Sequence, residues 1–466
     1  MDLEAVCFDP DLFERYGGRG PRYTSYPTAL QFDGAFDERA YREATVASAL
    51  ADAEGRRPLS LYVHVPFCKS LCYYCGCNKI VTHNAERIQA YLDALHSEIG
   101  MQAQLFDGRR PVSQLHFGGG TPTYLTDQQL VSLMTALGDN FSLDRANDHE
   151  FSIEIDPRST HDETMRLLSE LGFNRVSLGI QDFDPQVQLA VNRLQSEQDV
   201  ERLMEDVRAF GYRSVSFDLI YGLPHQSVAS FDRTLDAAIR MRPDRLAVYN
   251  YAHLPSRFKG QRMIWEEELP TPTARIELLS HTIGKLTSAG YVYVGMDHFA
   301  LPGDDLVQAK RNGTLQRNFQ GYSTHSEVDL VALGVSAIGK IGNTFAQNYV
   351  TTSEYQDAIA AGRLAVCKGL VVDEDDQLRA RVIHQVMCHD GLDYAAFGNR
   401  FDVDVRGYFA DEIKRLAPLA KDELIVLDDR GFKVTPKGRL LLRNVAMVFD
   451  RHLASGAADQ RFSKAI

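Results

Sequence analysis

Cys68-Lys-Ser-Leu-Cys72-Tyr-Tyr-Cys75 sets three thiols at CxxxCxxC spacing. Three thiolates can hold three irons of a 4Fe-4S cube and leave the fourth iron open to a chelating molecule, whereas ferredoxin-type sites with four cysteines only move electrons. Zinc modules favour paired CxxC units, with a second pair or histidines downstream, and no such pair appears here. A disulfide framework fits no better, because the chain has seven cysteines, an odd number, and Met1 to Cys7 shows neither the basic nor the apolar part of a secretory leader. The thiols are therefore expected in a reducing cytosol. Cys77 adds a CxC spacing to Cys75, but a fourth thiolate would close the open iron, so it is read as a nonligand.

Something must deliver this loop. The alternating, β-branched run that starts at Leu59 and ends at Phe67 reads as a strand leading into Cys68. Five similar runs follow at 112–118, 150–155, 175–180, 214–220 and 245–251, separated by helix-patterned stretches. Six βα units in succession predict an α/β fold, a partial (β/α)6 barrel of the TIM type. Barrel enzymes build their sites at the C-terminal ends of the strands. Here the runs end in the cysteine loop, in Gly118-Gly119-Gly120-Thr121, Glu154 with Asp156, Gln181 with Asp182, Asp218, and Asn250 to His253. One polar strand end is ordinary; six in register argue for one shared cavity. The triple glycine suits a tight turn and would also bare backbone groups to an amino acid moiety, and the second role is favoured. Asp218 sits in an otherwise apolar run and should meet a cation or hydroxyls, since an unpaired buried carboxylate is expensive. Arg193 could bind a carboxylate through its guanidinium fork or form a surface salt bridge, and the residues alone leave both open.

Composition bounds the rest. With 44% hydrophobic and 24% charged residues and no apolar stretch approaching eighteen, the chain is expected to be soluble and to lie outside the membrane. A net charge of -13 disfavours nucleic acid as a partner. Past residue 300, 318–322 reads as a loop and 330–339 as an apolar, Gly-punctuated lid or added edge. From about 365 the chain is expected to turn helical, with a helix over 376–387, a hairpin over 424–434 and a final helix from 436 to about 453. That order resembles a winged helix, read as packing against or covering the barrel rather than binding DNA. The expected division is 1–35 as a substrate-covering segment, 36–360 as the catalytic barrel with its closing segment, and 361–466 as the C-terminal helical domain.

Several blocks together resemble one family, the oxygen-independent coproporphyrinogen III oxidases of bacterial haem biosynthesis, which are radical S-adenosylmethionine (SAM) enzymes. They are Pro21-Arg-Tyr-Thr-Ser-Tyr-Pro-Thr28, Val65 to Lys79 with Cys77, Gly118 to Thr123, Asn250 to Pro255, Gly295 to Phe299 and Arg317 to Tyr322. The resemblance runs nearly end to end. It implies a 4Fe-4S cluster on Cys68, Cys72 and Cys75, with SAM on the open iron. Tyr74, Gly120, Thr121, Gln181, Arg193, Asp218 and Ala252 match family positions around that SAM. Tyr62, Gly119, Glu154 and Ile338 match a second SAM, with Phe319 and Gln320 nearby; Tyr62, Glu154, Phe319 and Gln320 are the catalytic candidates.

The implied activity converts the ring A and B propionates of coproporphyrinogen III to vinyl groups, giving protoporphyrinogen IX. A saturated propionate offers no stabilised carbanion, so a 5'-deoxyadenosyl radical removes a β-hydrogen, and loss of carbon dioxide and one electron leaves the vinyl group. A small reducing protein such as flavodoxin or ferredoxin, a monomeric state and a cytoplasmic location complete the expectation. Four substrate carboxylates need local positive charge, for which Arg19, Arg22, Lys259, Arg262, Arg311 and Arg317 are candidates. Lys69 is given no role. The flexible Gly17 to Gly20 stretch suggests that residues up to about Thr28 fold over the cavity mouth. Two other readings share the cysteine triad: a SAM-dependent haem-trafficking chaperone, in which phenylalanine is expected at position 77, and a radical SAM methylase or cyclopropanase.

Overall fold

The computed structural model describes residues 6–52, 57–106, 110–144, 149–325 and 328–453. The extreme ends of the two expected terminal segments, 1–5 and 454–466, lie outside them.

Six parallel strands form the heart of the molecule: β1 (Leu59–Val65), β2 (Pro111–Gly119), β3 (Glu150–Ile155), β4 (Arg175–Gln181), β5 (Ser214–Tyr221) and β6 (Arg245–Asn250). They lie side by side in sequence order, all parallel. The lid or edge expected near 330 is a seventh parallel strand, Asp329–Leu333, on the free side of β1, continued by the antiparallel strands Ile338–Ile341, Thr344–Asn348 and Val366–Val371. Beyond β6 the sheet is extended by His298–Ala300 and Val292–Gly295. The sheet therefore curls without closing, as a partial barrel does. Helices return the chain on the outside, each begun by a polar side chain: Asn84 caps Ala85–Ala103, Thr126 with Gln129 forms a capping box for Asp127–Asn140, and Ser227 caps Val228–Met241. Each such cap contributes about 1 kcal/mol.

Alternation along the strands explains why the barrel is hollow. Leu61, Val63, Leu115, Phe117, Ile153, Leu178, Phe217 and Leu246 are wholly buried and pack into the main core with the outer helices. The residues between them, which face inward, are Tyr62 and His64, Gln114 and His116, Ser152 and Glu154, Ser177, Ser216 and Asp218, and Ala247 with Tyr249. Eight-stranded barrels fill this space with branched aliphatics. A polar wall cannot pack that way and leaves room for ligands. The base is plugged: Gln114 Nε2 donates to Glu150 (3.3 Å) and to Ser323 Oγ (3.2 Å), Thr324 Oγ1 donates to Glu150 (2.8 Å), and Arg245 pairs with Asp304 at 2.8 Å.

A second core joins both chain ends. Leu12, Phe13, Tyr23 and Tyr26 from the N-terminal segment pack with Val382, Phe409, Phe432 and Phe449. Tyr23 donates to Asp450 at 2.9 Å, and Arg451 N donates to Tyr26 Oη at 3.1 Å. The C-terminal part carries the expected hairpin, Ile425–Asp428 with Gly431–Val434, and a third strand, Gly391–Asp393, beside it. Two expectations fail here. The region from 365 is not helical at first, because Val366–Val371 pairs with Thr344–Asn348 in the large sheet and the helix begins only at Glu374. The final helix is broken into a 3-10 turn, Gly438–Leu441, and a short helix, Leu442–Met447.

Candidate active site

β1 hands the chain directly to the cysteine loop. Phe67–Cys68 pairs with Ile80–Val81, so the loop is tied at its base, and Tyr73 N donates to Val191 O (3.0 Å) while Asn192 Nδ2 donates to Leu71 O (2.8 Å). Gln261 Nε2 bridges the Tyr74 and Ala252 carbonyls at 2.9 and 3.1 Å. Cys68 and Cys72 are buried, Cys75 is half-buried and Cys77 is exposed.

Hydrogen-bond donors surround the sulfurs. Thr121 Oγ1 is 3.5 Å from Cys68 Sγ, while Arg158 Nη2 and Arg193 Nη1 lie 3.2 and 3.5 Å from Cys72 Sγ. Burial pushes the Cys68 thiol up to about 11, and the charges of Cys75 and Cys72 add to that, so the three sulfurs are electrostatic neighbours. The Cys75 thiol is pulled down to about 6 by a hydrogen bond from Cys77, helped by Lys79. A buried group of soft thiols ringed by donors fits an iron-sulfur cluster, which wants thiolate ligands and hydrogen bonds to sulfur. Cys77 touches Cys75 rather than extending the triad outward.

The strand ends supply the rest. The triple glycine has a packing reason that the sequence did not reveal. A Cβ on Gly120 would sit 2.6 Å from the Pro66 backbone, and one on Gly119, at φ 116°, would sit 2.6 Å from the His64 ring. The N–H groups of this turn are already used: Gly119 N donates to Glu154 Oε2 (3.0 Å), Gly120 N to Val65 O (2.8 Å) and Thr121 N to Phe67 O (2.8 Å). The turn thus does not bare its N–H groups to a ligand, and only its carbonyls and the Thr121 hydroxyl are left to do so.

Glu154 faces the hollow with its side chain 44% accessible. Burial alone would raise its carboxyl, but the His116 hydrogen bond and charge and the Gly119 N–H outweigh it and hold it below the usual carboxylate range. His116 also meets Ser152 Oγ at 2.6 Å and stacks on Tyr62 at 5.8 Å between centroids, and the Tyr62 hydroxyl meets His64 Nδ1 at 3.0 Å. Asp218 accepts from Ser177 Oγ at 3.0 Å, and burial pushes its carboxyl up to about 7, with the Glu154 charge adding to the shift. Arg193 is buried, not on the surface: its Nη1 pairs with Asp156 at 3.1 Å, its Nη2 donates to Gly179 O, and its Nε has no partner among the described residues. Gln181 ends β4 in a left-handed conformation, φ 68°, which a non-glycine residue holds only at a cost.

Of the second group of expected residues, Tyr62, Gly119 and Glu154 share this wall, whereas Ile338 lies on the strand Ile338–Ile341, with Phe319 and Gln320 in a separate hairpin. Phe319 meets Phe345 edge-on at 5.9 Å, and with Ile338 it packs against the small cluster of Phe32, Phe345 and Val372. Gln320 keeps an unpartnered buried Nε2. Phe319 and Gln320 form the turn of the hairpin Gln316–Asn318/Gly321–Ser323, which spans the open side of the curled sheet: Tyr322 packs on His298 at one edge and Phe319 on Phe345 at the other. Of the basic candidates, Arg22 and Arg317 reach this wall, whereas Lys259, Arg262 and Arg311 are exposed. Sequence reasoning missed His116, Ser177, Arg158 and Gln261. The two strand residues were legible as the inward positions of β2 and β4; Arg158 and Gln261 act across long separations and left no local signal.

Residues 62–238 match the radical SAM superfamily, and residues 372–441 match the HemN C-terminal domain. The oxygen-independent coproporphyrinogen III oxidase of Pseudomonas aeruginosa is 48% identical over 468 residues, covering 100% of both chains. That of Escherichia coli is 47% identical over 466 residues with the same coverage. A solved structure described as coproporphyrinogen III oxidase (HemN) from Escherichia coli, a radical SAM enzyme, superposes with a TM-score of 0.91 at 46% identity, covering 96% of this chain and 100% of that one.

Proposed function

The chain belongs to the oxygen-independent coproporphyrinogen III oxidases, a radical SAM family, and from that membership we propose how its residues divide the work. The reaction is the oxygen-independent oxidation of coproporphyrinogen III; in our reading the ring A and B propionates become vinyl groups and the product is protoporphyrinogen IX. Cys68, Cys72 and Cys75 hold the 4Fe-4S cluster. The cluster and SAM, when bound, supply reductive cleavage of SAM and a 5'-deoxyadenosyl radical that takes a β-hydrogen from the propionate.

The protein's own part is positioning and exclusion of water. Arg158, Arg193 and Thr121 donate toward the cysteine sulfurs. Tyr74, Gly120, Thr121, Gln181, Arg193, Asp218 and Ala252 line the position of the first SAM. Tyr62, Gly119, Glu154 and Ile338 line a second, beside Phe319 and Gln320. An ionised Glu154, kept so by His116, suits the sulfonium or ammonium of a bound SAM. We further propose a monomer in the cytoplasm, served by a small reducing protein. Cysteines all free of disulfides support a reducing compartment, and among the described residues no helix is long and apolar enough to cross a membrane.

The observation that carries this reading is that the cysteine loop opens onto a barrel wall made of paired polar side chains rather than aliphatic packing. Anaerobic incubation of cluster-reconstituted protein with SAM, reductant and coproporphyrinogen III tests it, and both 5'-deoxyadenosine and divinyl product are expected. Stable haem binding without product would favour a carrier, and methyl transfer from SAM would favour a methylase; either would overturn the proposal.

A further inference from the structure

Three arginines from distant parts of the chain meet at the open side of the barrel. Arg22 comes from the N-terminal segment, Arg317 from the spanning hairpin and Arg443 from the last short helix. Arg317 Nε donates to Arg22 O at 3.4 Å, Arg443 Nη1 donates to Gly20 O at 3.2 Å, and the Arg22 guanidinium lies 5.6 Å from the centre of the Tyr249 ring. Tyr249 is an inward residue of β6, and its hydroxyl feels the charges of Asp218 and Glu154 as well as those of Arg22 and Arg317. The cluster thus borders the polar cavity.

Its charge is unbalanced. Among the described residues only Arg22 of the three has a carboxylate partner, Asp297. Arg317 instead stacks on Tyr322 at 4.7 Å. Arg317 Nη1 and the Nη2 of Arg443, a residue only 5% exposed, are shielded from solvent and have no acceptor among the described residues. Burial lowers the Arg443 pKa to about 10. An orphaned buried donor costs about 1–3 kcal/mol, more when charged, and a buried cation is held only where something pairs with it. In a chain with a net charge of -13, such an excess of positive charge at a cavity wall calls for an anion. Planar guanidinium forks suit carboxylates.

We propose that Arg22, Arg317 and Arg443 form a carboxylate site on the lateral wall of the barrel that takes propionate groups of the tetrapyrrole; this rests on the function proposed above. The site is built jointly by the N-terminal segment, the spanning hairpin and the C-terminal domain.

Titrating cluster-loaded protein with coproporphyrin III, the oxidised porphyrin with the same four propionates, and following its fluorescence tests the site. Arg317→Gln and Arg443→Gln should each weaken binding on the order of tenfold and flatten its salt dependence, with iron content and SAM stoichiometry unchanged. Wild-type porphyrin affinity with a lowered Tm would overturn the proposal and leave the arginines as staples for the N-terminal segment. Loss of one bound SAM with porphyrin affinity intact would also overturn it, since the carboxylate would then be that of SAM. Should a glutamine variant fail to fold, Arg317→Lys decides: it keeps the charge and loses the fork, so a severalfold loss supports the site and unchanged affinity sinks it. Turnover of coproporphyrinogen III by the wild type on the same preparation separates the two claims. No divinyl product means the function is wrong; full turnover with porphyrin binding blind to the arginines means only the site is wrong.

Discussion

The barrel and the cap formed by the two chain ends are built on different logics. In the barrel, functional groups sit on neighbouring strands and are positioned by alternation: Tyr62 stacks on His116, and His116 reaches Ser152 and Glu154 on the adjacent strand. In the cap, partners are hundreds of residues apart, as with Tyr23 and Asp450 or Gly20 and Arg443. Strand geometry therefore fixes the radical chemistry locally, while access to it depends on long-range assembly. Damage to the barrel wall should abolish chemistry in a folded protein; damage to the cap should spare the cluster and impair use of the large substrate.

The largest effect belongs to the cysteine loop. Cys68→Ala, Cys72→Ala and Cys75→Ala should each lose the 4Fe-4S absorbance and all SAM cleavage, whereas Cys77→Ala retains an assembled cluster. Equal loss in Cys77→Ala would mean the ligand set is wrong. Next comes Glu154→Ala, which should keep iron content and Tm but cut vinyl formation about a hundredfold or more, the usual scale for removing a placed electrostatic contact. Wild-type turnover in a well-folded variant would take Glu154 out of the site.

In the cap, a chain starting near Gln31 should retain cluster and SAM cleavage and decarboxylate poorly. It also exposes the partners of Leu12, Phe13, Tyr23 and Tyr26, so its C-terminal part should melt earlier. Unchanged turnover would break the contrast between the regions. Tyr23→Phe is the milder probe: Asp450 loses one donor, at a cost of about 1–3 kcal/mol, readable by thermal unfolding with the iron-sulfur spectrum unaltered.

The smallest effect is a pH dependence where an outer helix of the barrel meets the closing strands. Glu98 is fully buried and ties the closing strands down: it accepts from Gly334 N, Asn348 Nδ2 (2.7 Å) and Tyr355 Oη (2.7 Å). Burial pushes its carboxyl up to about 7 from an ordinary 4.5. Between those values the unfolded chain has released the proton that the native chain still holds, so this contribution to stability falls as pH rises through the window and levels off above it. Glu98→Gln should flatten the change in Tm between about pH 4.5 and 7; an undiminished slope would assign it to other groups.

The barrel was legible because its signals are local. Cys68, Cys72 and Cys75, the six apolar runs and the polar strand ends at Glu154 and Asp218 all declare themselves within a few residues. The family blocks marked Arg22 and Arg317 only as members of a basic set; that the two share a wall with Arg443 depends on the N-terminal segment crossing to the C-terminal domain. The glycine turn was half legible, since spacing announces a special backbone but not that His64 and the Pro66 backbone demand it. Val366–Val371 was misread because an edge strand of the large sheet directly precedes a helix, and its pairing partner Thr344–Asn348 gives no sign in sequence of which edge it extends.

The most direct test of the account is the fate of one hydrogen. With coproporphyrinogen III deuterated at the propionate β-carbons, wild-type protein should move deuterium into 5'-deoxyadenosine in step with vinyl formation, and Glu154→Ala should do neither. Divinyl product formed with unlabelled 5'-deoxyadenosine, or deuterium transfer with no vinyl product at all, would contradict it.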